Sequence, residues 1–419
     1  MNSAFLEKIV NVLIRRPNRL LKKDTFLRLK RAFLSALVLQ NLPDASRPRL
    51  YFDVTLLSIL DNKTGVHRVI RSVFEEIKPL IEDNYDLIPV SCNAFTQGFC
   101  ALTELNGKGG KCFKLSPFKI NPKNGDIFLS LEQAFVEHLA QKRVFREMKQ
   151  KGCRVILTVY DLLPIQLPYC FPVETKNIFE NWLLSSSDYA EFLCDSKTVK
   201  TDLANFLSSK NKHNELFWFY PGSNFVKDVS SSGISKEQTN YLRNLREFNF
   251  NFLMVATIEP RKGHKVIFDL FNRLWKEHNL NVSLTFIGKE GWLVNDVVKT
   301  LKKSMYLNKN FFWFENASDE FLERCYSVTD AVIVASLNEG FGLPLLEAAS
   351  HNCRVIANDI RIFREVAPKE CYFLELSNPD KSVLQLLSWM DSPSKTCTSV
   401  TIQDWKQSTI QLLKATKII

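Results

Sequence analysis

Residues 331–352 read AVIVASLNEGFGLPLLEAASHN, and the fold class turns on this stretch. Its opening, residues 331–335, is an apolar β-branched run with the length and composition of a buried strand. Ser336-Leu337-Asn338-Glu339 makes a polar corner, and Gly340-Phe341-Gly342 a glycine-flanked turn. Leu343-Pro344 then starts a helix, where proline loses nothing because an N–H in the first turn has no partner. Strand, glycine loop and helix start in that order expose free backbone N–H groups at the positive end of a helix dipole, a favourable place for an anion. Two carboxylates stand on the corner: Glu339 before the loop and Glu347 about one turn into the helix.

Outward from this corner the same alternation repeats. Strand-like runs fall at residues 50–54, 86–90, 126–130, 153–159, 190–194 and 216–219, with helical stretches such as 66–80 and 133–151 between them. After the polar stretch 223–238 the runs resume at 250–256, 282–287, 311–314, 331–335, 354–357 and 371–374. Strand–helix alternation implies parallel sheets covered on both faces. The expected class is therefore α/β, with two doubly wound Rossmann-like domains facing each other across a cleft. They take residues 48–222 and 241–395, with a linker at 223–240 and a closing helix in 396–419 that can return to the first domain. In such folds ligands bind outside the carboxyl ends of the strands, so the cleft is the expected site.

Bulk composition agrees: at 419 residues, 45% hydrophobic and 24% charged, the chain is too long for one ordinary core. Its net charge of +10 is uneven, because residues 1–49 hold eleven Lys or Arg against three acids and so carry eight of those charges. Residues 1–47 read as a basic helical segment with helices over 3–16 and 24–40. In the second, Phe26, Leu29, Phe33 and Leu37 share a face, while Arg28, Lys30 and Arg31 largely occupy others. Two readings of residues 1–40 stay open: a ligand for an anionic membrane surface, or a helix packed on the body with a solvated charged face. Nucleic acid is not an expected partner, since the aromatic and glycine interleaving of its recognition modules is missing. Ten cysteines with no CxxC pair or zinc-type spacing read as reduced thiols of a cytoplasmic protein. No apolar run approaches the ~20 residues of a membrane span.

Four pieces carry chemistry. Thr64-Gly65-Val66-His67-Arg68 follows the first strand, where a glycine lets backbone approach a ligand at a helix start. Asp161 ends the apolar strand 153–159 and reads either as a site carboxylate or as a turn cap. Arg261 and Lys262 follow the first strand of the second half, where adjacent cations can neutralise phosphate. The corner at 331–352 is the fourth, and Phe286-Ile287-Gly288-Lys289-Glu290-Gly291-Trp292 reads as supporting scaffold.

In this order and spacing the chain resembles the retaining nucleotide-sugar glycosyltransferases of family four, which have the GT-B fold. Glu339 to Glu347 matches that family's E-x7-E element, Thr257 to Lys262 is similar to its diphosphate-holding segment, and Thr64 to Arg68 looks like the glycine loop of its bacterial polysaccharide members. The resemblance implies that Glu347 accepts hydrogen bonds from the ribose hydroxyls and that Glu339 holds the donor sugar and steadies charge at its anomeric carbon. It implies that the backbone N–H groups of Gly340, Phe341, Gly342 and Leu343 face sugar and diphosphate, that Gly65 and Asp161 line the site, and that Lys262 and Arg261 stabilise the departing diphosphate, with no metal or other cofactor. It further implies a nucleotide-sugar donor, GDP-mannose first, and a lipid-linked saccharide acceptor in surface polysaccharide synthesis. The enzyme would then work as a peripheral protein on the inner face of the cell membrane. The rivals are a sugar-nucleotide epimerase of the same fold and a membrane-associated scaffold without transfer. Tyr160 departs from the pattern, since many members carry histidine there, and Ala256-Thr257 stands where some carry arginine.

Overall fold

The computed structural model describes residues 40–58, 65–92, 98–107, 110–222, 233–393, 395–396 and 403–419. The N-terminal helices expected over 3–16 and 24–40, residues 62–64 of the glycine loop and residues 223–232 of the linker lie outside these, except that Gln40 begins a strand.

The first sheet has nine strands: β1 (Gln40–Asn41), β2 (Arg49–Asp53), β3 (Asp86–Ser91), β4 (Cys100–Gly107), β5 (Gly110–Lys119), β6 (Ile127–Ser130), β7 (Arg154–Val159), β8 (Glu191–Cys194) and β9 (Leu216–Trp218). Their order is β1-β5-β4-β3-β2-β6-β7-β8-β9. The second has β10 (Phe250–Val255), β11 (Val282–Ile287), β12 (Phe311–Phe314), β13 (Ala331–Val334), β14 (Arg354–Asn358) and β15 (Tyr372–Leu374), in the order β12-β11-β10-β13-β14-β15. All pairings of this second sheet are parallel. Every residue of β2, β6 and β13 is buried, because helices cover both faces, and this explains why these strands read as continuous apolar runs. The strand order reverses between β2 and β6 in the first sheet and between β10 and β13 in the second, which opens a crevice at each carboxyl edge.

Three expectations need correction. The first sheet is mixed: β4 is antiparallel to β3 and to β5, in register Gly107↔Gly110. This hairpin escaped detection because Thr103, Glu104, Lys111 and Lys114 break up its apolar pattern. The helix expected over 133–151 is two, Phe135–Ala140 and Lys142–Gln150; it breaks at Gln141, whose buried side-chain oxygen accepts the Gly98 N–H at 2.7 Å. Within the stretch assigned to a linker, a helix already begins at Lys236, because Ser235 and Gln238 form a capping box that satisfies its first N–H groups.

The helix Trp405–Ala415 packs on Gly65–Ile81 of the first half, and Trp405, Leu412 and Leu413 join Val69, Ile70 and Val73 in one core. Among the described residues eight cysteines are buried and outside any disulfide, and no helix is long and apolar enough to cross a membrane.

Candidate functional site

The crevice of the second sheet is built by the loops after β10 and β13. After β10 a 3-10 turn, Pro260–Lys262, presents two cations and ends at Gly263, where the helix His264–Glu277 starts. After β13 the chain turns at Ser336. The Leu337 N–H bonds the Arg261 carbonyl at 2.8 Å and so fastens one loop to the other. This brings Glu339 between the cations: its Oε2 accepts Arg261 Nη1 at 3.1 Å, and its Oε1 accepts Lys262 Nζ and, at 2.7 Å, Ser336 Oγ. Arg261 Nε in turn lies 3.0 Å from Glu259 Oε2. Burial alone would raise the pKa of Glu339; Lys262 and then Arg261 outweigh it and hold the carboxyl at about 2. Glu339 is therefore ionised throughout the neutral range.

The turn that follows requires glycine. A Cβ on Gly340 would stand 1.8 Å from the Tyr160 carbonyl oxygen of the first half, and Gly342 has φ of +104°. Gly342 precedes the helix Leu343–Ser350, whose first turn carries no acid to cancel its dipole. Glu347 lies on that helix with 18% of its side chain exposed, and Arg68 Nη1 of the first half stands 4.0 Å away. Burial raises the Glu347 pKa, and Arg68 opposes the rise. The ring of Phe341 is buried against that of Tyr220, with centroids 5.8 Å apart.

The first half closes over this corner. Gly65 begins the helix Gly65–Ile81, and a Cβ there would lie 3.1 Å from Leu343 Cδ1, so two helix N-termini converge. Asp161 caps the turn at Leu163 N (3.0 Å) and also lies within the electrostatic reach of Arg261. Burial raises its pKa and Arg261 opposes, so the turn-cap reading of Asp161 holds, with the carboxyl facing the charges of the cleft. Tyr160 points away from the second half: its hydroxyl donates to the Leu131 carbonyl at 2.7 Å. Thus Glu339, Arg261, Lys262, Gly340, Gly342, Leu343, Glu347, Gly65 and Asp161 gather at one cleft.

Other residues of the cleft were not singled out. Ser336 donates to Glu339. Ser196 Oγ donates to the Gly340 carbonyl at 2.8 Å, while the buried Asp195 beside it has its pKa raised by burial and by Asp161. Glu365 accepts the N–H groups of Lys197 and Thr198, both at 2.8 Å, and the Tyr220 hydroxyl at 2.9 Å, tying the second half to the start of the helix Lys197–Ser209. The usable signal was Asp195-Ser196 between a strand and a helix, the same strand-to-helix punctuation as at 336–343. Among the described residues no His/Cys/Asp/Glu group is arranged to hold a metal ion. Two cations and two helix starts suit an anion of high charge density, such as a diphosphate.

Known proteins are similar to this chain in sequence and fold. Residues 243–402 fit the family model described as glycosyl transferases group 1. The serotype-specific mannosyltransferase WbdA of Escherichia coli is 30% identical over 387 residues, which is 88% of this chain and 46% of the relative, so the chain spans about half the length of that protein. The O-antigen chain mannosyltransferase B of Escherichia coli is 24% identical over 280 residues, 64% of this chain and 71% of the relative. Among solved structures, a sucrose-phosphate synthase from Thermosynechococcus elongatus superposes with a TM-score of 0.61 at 13% identity, covering 89% of this chain and 99% of that one. HepE of Anabaena, solved with UDP and glucose, gives 0.59 at 13% identity, covering 89% and 100%. The chain has the GT-B fold, and residues 243–402 of its second half match the glycosyl transferases group 1 model.

Proposed function

We propose that this protein moves a sugar, mannose from GDP-mannose, to a saccharide carried on a lipid, with retention of anomeric configuration, in O-antigen or capsule synthesis. The observation that carries this reading is Glu339, held ionised between Arg261 and Lys262 at the carboxyl edge of the second sheet. The names of the relatives support mannose and O-antigen.

In this reading the diphosphate sits on Arg261, Lys262 and the N–H groups of Gly342 and Leu343, and the cations stabilise the charge that grows as the anomeric C–O bond breaks. Glu339 faces the donor sugar and steadies positive charge at its anomeric carbon. Glu347 accepts hydrogen bonds from the ribose hydroxyls, and the Gly65 helix start closes on the diphosphate from the other half. The acceptor oxygen forms the new bond, and its proton leaves with the diphosphate. Resident metal has no step to perform, because the two cations fill that role. We assign residues 1–40 to an anionic membrane surface on the cytoplasmic face, on the strength of their charge.

Titration calorimetry with GDP, UDP, dTDP and ADP tests the reading: GDP should bind most tightly, and absence of binding by all four overturns it. Following GDP-mannose by NMR without acceptor separates the epimerase, which would convert it to another nucleotide sugar. Sedimentation with phosphatidylglycerol vesicles, before and after removal of residues 1–40, tests the membrane assignment; equal partitioning of the two forms overturns it.

A further inference from the structure

At the mouth of the cleft two loops, one from each half, expose aromatic and aliphatic side chains side by side. From the first half, Tyr169 is 70% exposed and Val173 89%; from the second, Trp292 is 37% exposed and Leu293 59%. These are four of the nine large hydrophobic side chains with comparable exposure among the described residues, so the patch is a concentration and not the ordinary scatter of surface apolar groups. Phe171 lies between them, its ring 6.1 Å from that of Trp292 and tilted by only 34°. The loops are joined across the cleft by Trp292 Nε1, which donates to the Cys170 carbonyl at 2.8 Å. With its N–H so occupied, the tryptophan offers its ring face rather than a polar edge. Leu293 adopts φ of +56°, an uncommon conformation for a leucine, which holds its side chain outward at a small strain.

The patch adjoins the reacting centre. Gly291, next to Trp292, donates its N–H to Ile258 O at 3.0 Å, and its Cα packs so closely on Glu259 that a Cβ would lie 2.9 Å from Glu259 Cγ. Glu259 is the ion partner of Arg261. A second bond between the two halves runs from Asn338 Nδ2 to Gln166 Oε1 at 2.8 Å. Across the two loops one cation, Lys289, stands against Asp161, Glu174 and Glu290, so this surface lacks the net positive charge by which a protein grips an anionic bilayer. Flat apolar faces edged by charged and polar side chains without net positive charge match the alternating C–H faces and hydroxyls of a pyranose chain.

We propose that Trp292, Phe171 and Tyr169 form a stacking platform for the acceptor glycan, holding sugar units behind the one that receives the new residue. This rests on the glycosyltransferase reading and adds the acceptor's binding surface to it. The platform is complete only when both halves meet, so it selects acceptor in the closed cleft.

The test is transfer from GDP-mannose to manno-oligosaccharides of one to four units, with GDP affinity measured in parallel. Wild-type KM should fall as the acceptor lengthens. Trp292→Ala and Tyr169→Ser should flatten that dependence, raising KM for the longest acceptor ~10-fold with GDP affinity unchanged. Trp292→Phe keeps a ring but not the bond to Cys170, so it should retain most of the length dependence. The platform is overturned if KM ignores length in the wild type, if Trp292→Phe behaves as Trp292→Ala, or if the variants lose binding to phosphatidylglycerol vesicles instead. Failure of the wild type to bind GDP or to transfer at all removes the functional reading, and the platform with it. Transfer without length dependence removes the platform alone.

Discussion

The two sheets reverse strand order in the same way, yet their crevices hold opposite chemistry. Between β2 and β6, Asp53 is fully buried: its Oδ1 accepts the N–H and hydroxyl of Thr55 at 3.0 and 2.6 Å. Its Oδ2 accepts Ser130 Oγ at 2.8 Å and meets His138 Nε2 at 2.7 Å. Both oxygens of Asp53 are thus satisfied by its own neighbours. Between β10 and β13, Glu339, Arg261 and Lys262 keep 12%, 17% and 13% of their side chains exposed, and the half facing them opens a cleft. Topology places a crevice; the polar groups at its floor decide whether it is structural or chemical. A carboxylate satisfied from all sides by its own neighbours is a pillar, whereas one balanced between two cations that still reach solvent can exchange partners with a substrate.

Glu339→Gln breaks the contrast most sharply. It removes the charge while keeping the shape, so transfer should fall ~10³-fold in initial-rate measurements while GDP affinity changes little. A loss of affinity equal to the loss of rate would place Glu339 in ground-state binding only. Asp53→Ala is the mirror experiment. Leaving His138 and Ser130 without their buried partner should cost about 3 kcal/mol in urea unfolding, with GDP affinity of the folded fraction unchanged. If that affinity fell tenfold, the first crevice would be a ligand site after all.

Acid sharpens the same comparison. Glu339 is held at about 2 against an ordinary 4.5, so its ionisation stabilises the folded chain above pH 4.5, and the contribution fades as pH falls from 4.5 toward 2, about 3 kcal/mol in all. The stability advantage of wild type over Glu339→Gln should therefore shrink between pH 6 and pH 3, and a pH-independent difference would contradict the pairing. Glu347 has the opposite sign, since burial raises its pKa and its ionisation above 4.5 weakens the fold. Glu347→Gln should accordingly leave the protein no less stable at pH 7 while weakening GDP binding about tenfold, the smallest of these effects. Calorimetry and thermal unfolding of the one variant check both.

Much of this was readable from residues. Twelve strands fell where apolar runs stood, because central strands of a parallel sheet are buried on both faces and leave an unbroken signature, as in Val332-Ile333-Val334. The β4–β5 hairpin left none, since it extends one edge of the sheet and alternates with charge. At the site, Glu339, Glu347, Arg261 and Lys262 were visible because glycine and proline punctuate the chain beside them. Asp195 and Ser196 were not, because their importance lies in Gly340, 144 residues away. Tyr160 marked a departure from a family pattern; only the fold disclosed that its hydroxyl turns to Leu131, so its contribution to the cleft is the carbonyl that forbids a side chain at Gly340.

By itself, then, the sequence determined the α/β class, the two sheets and the corner at 331–352, all of which follow from periodicity and local backbone chemistry within short windows. The tertiary structure decided which charges meet. The ionised state of Glu339, the reach of Arg68 toward Glu347, the Ser196–Gly340 and Glu365–Thr198 bonds and the Trp292–Cys170 join all depend on two halves coming to rest against each other. Electrostatic and packing energies fall off over a few ångströms of space, not of chain, and no local pattern encodes which distant loops will share that space.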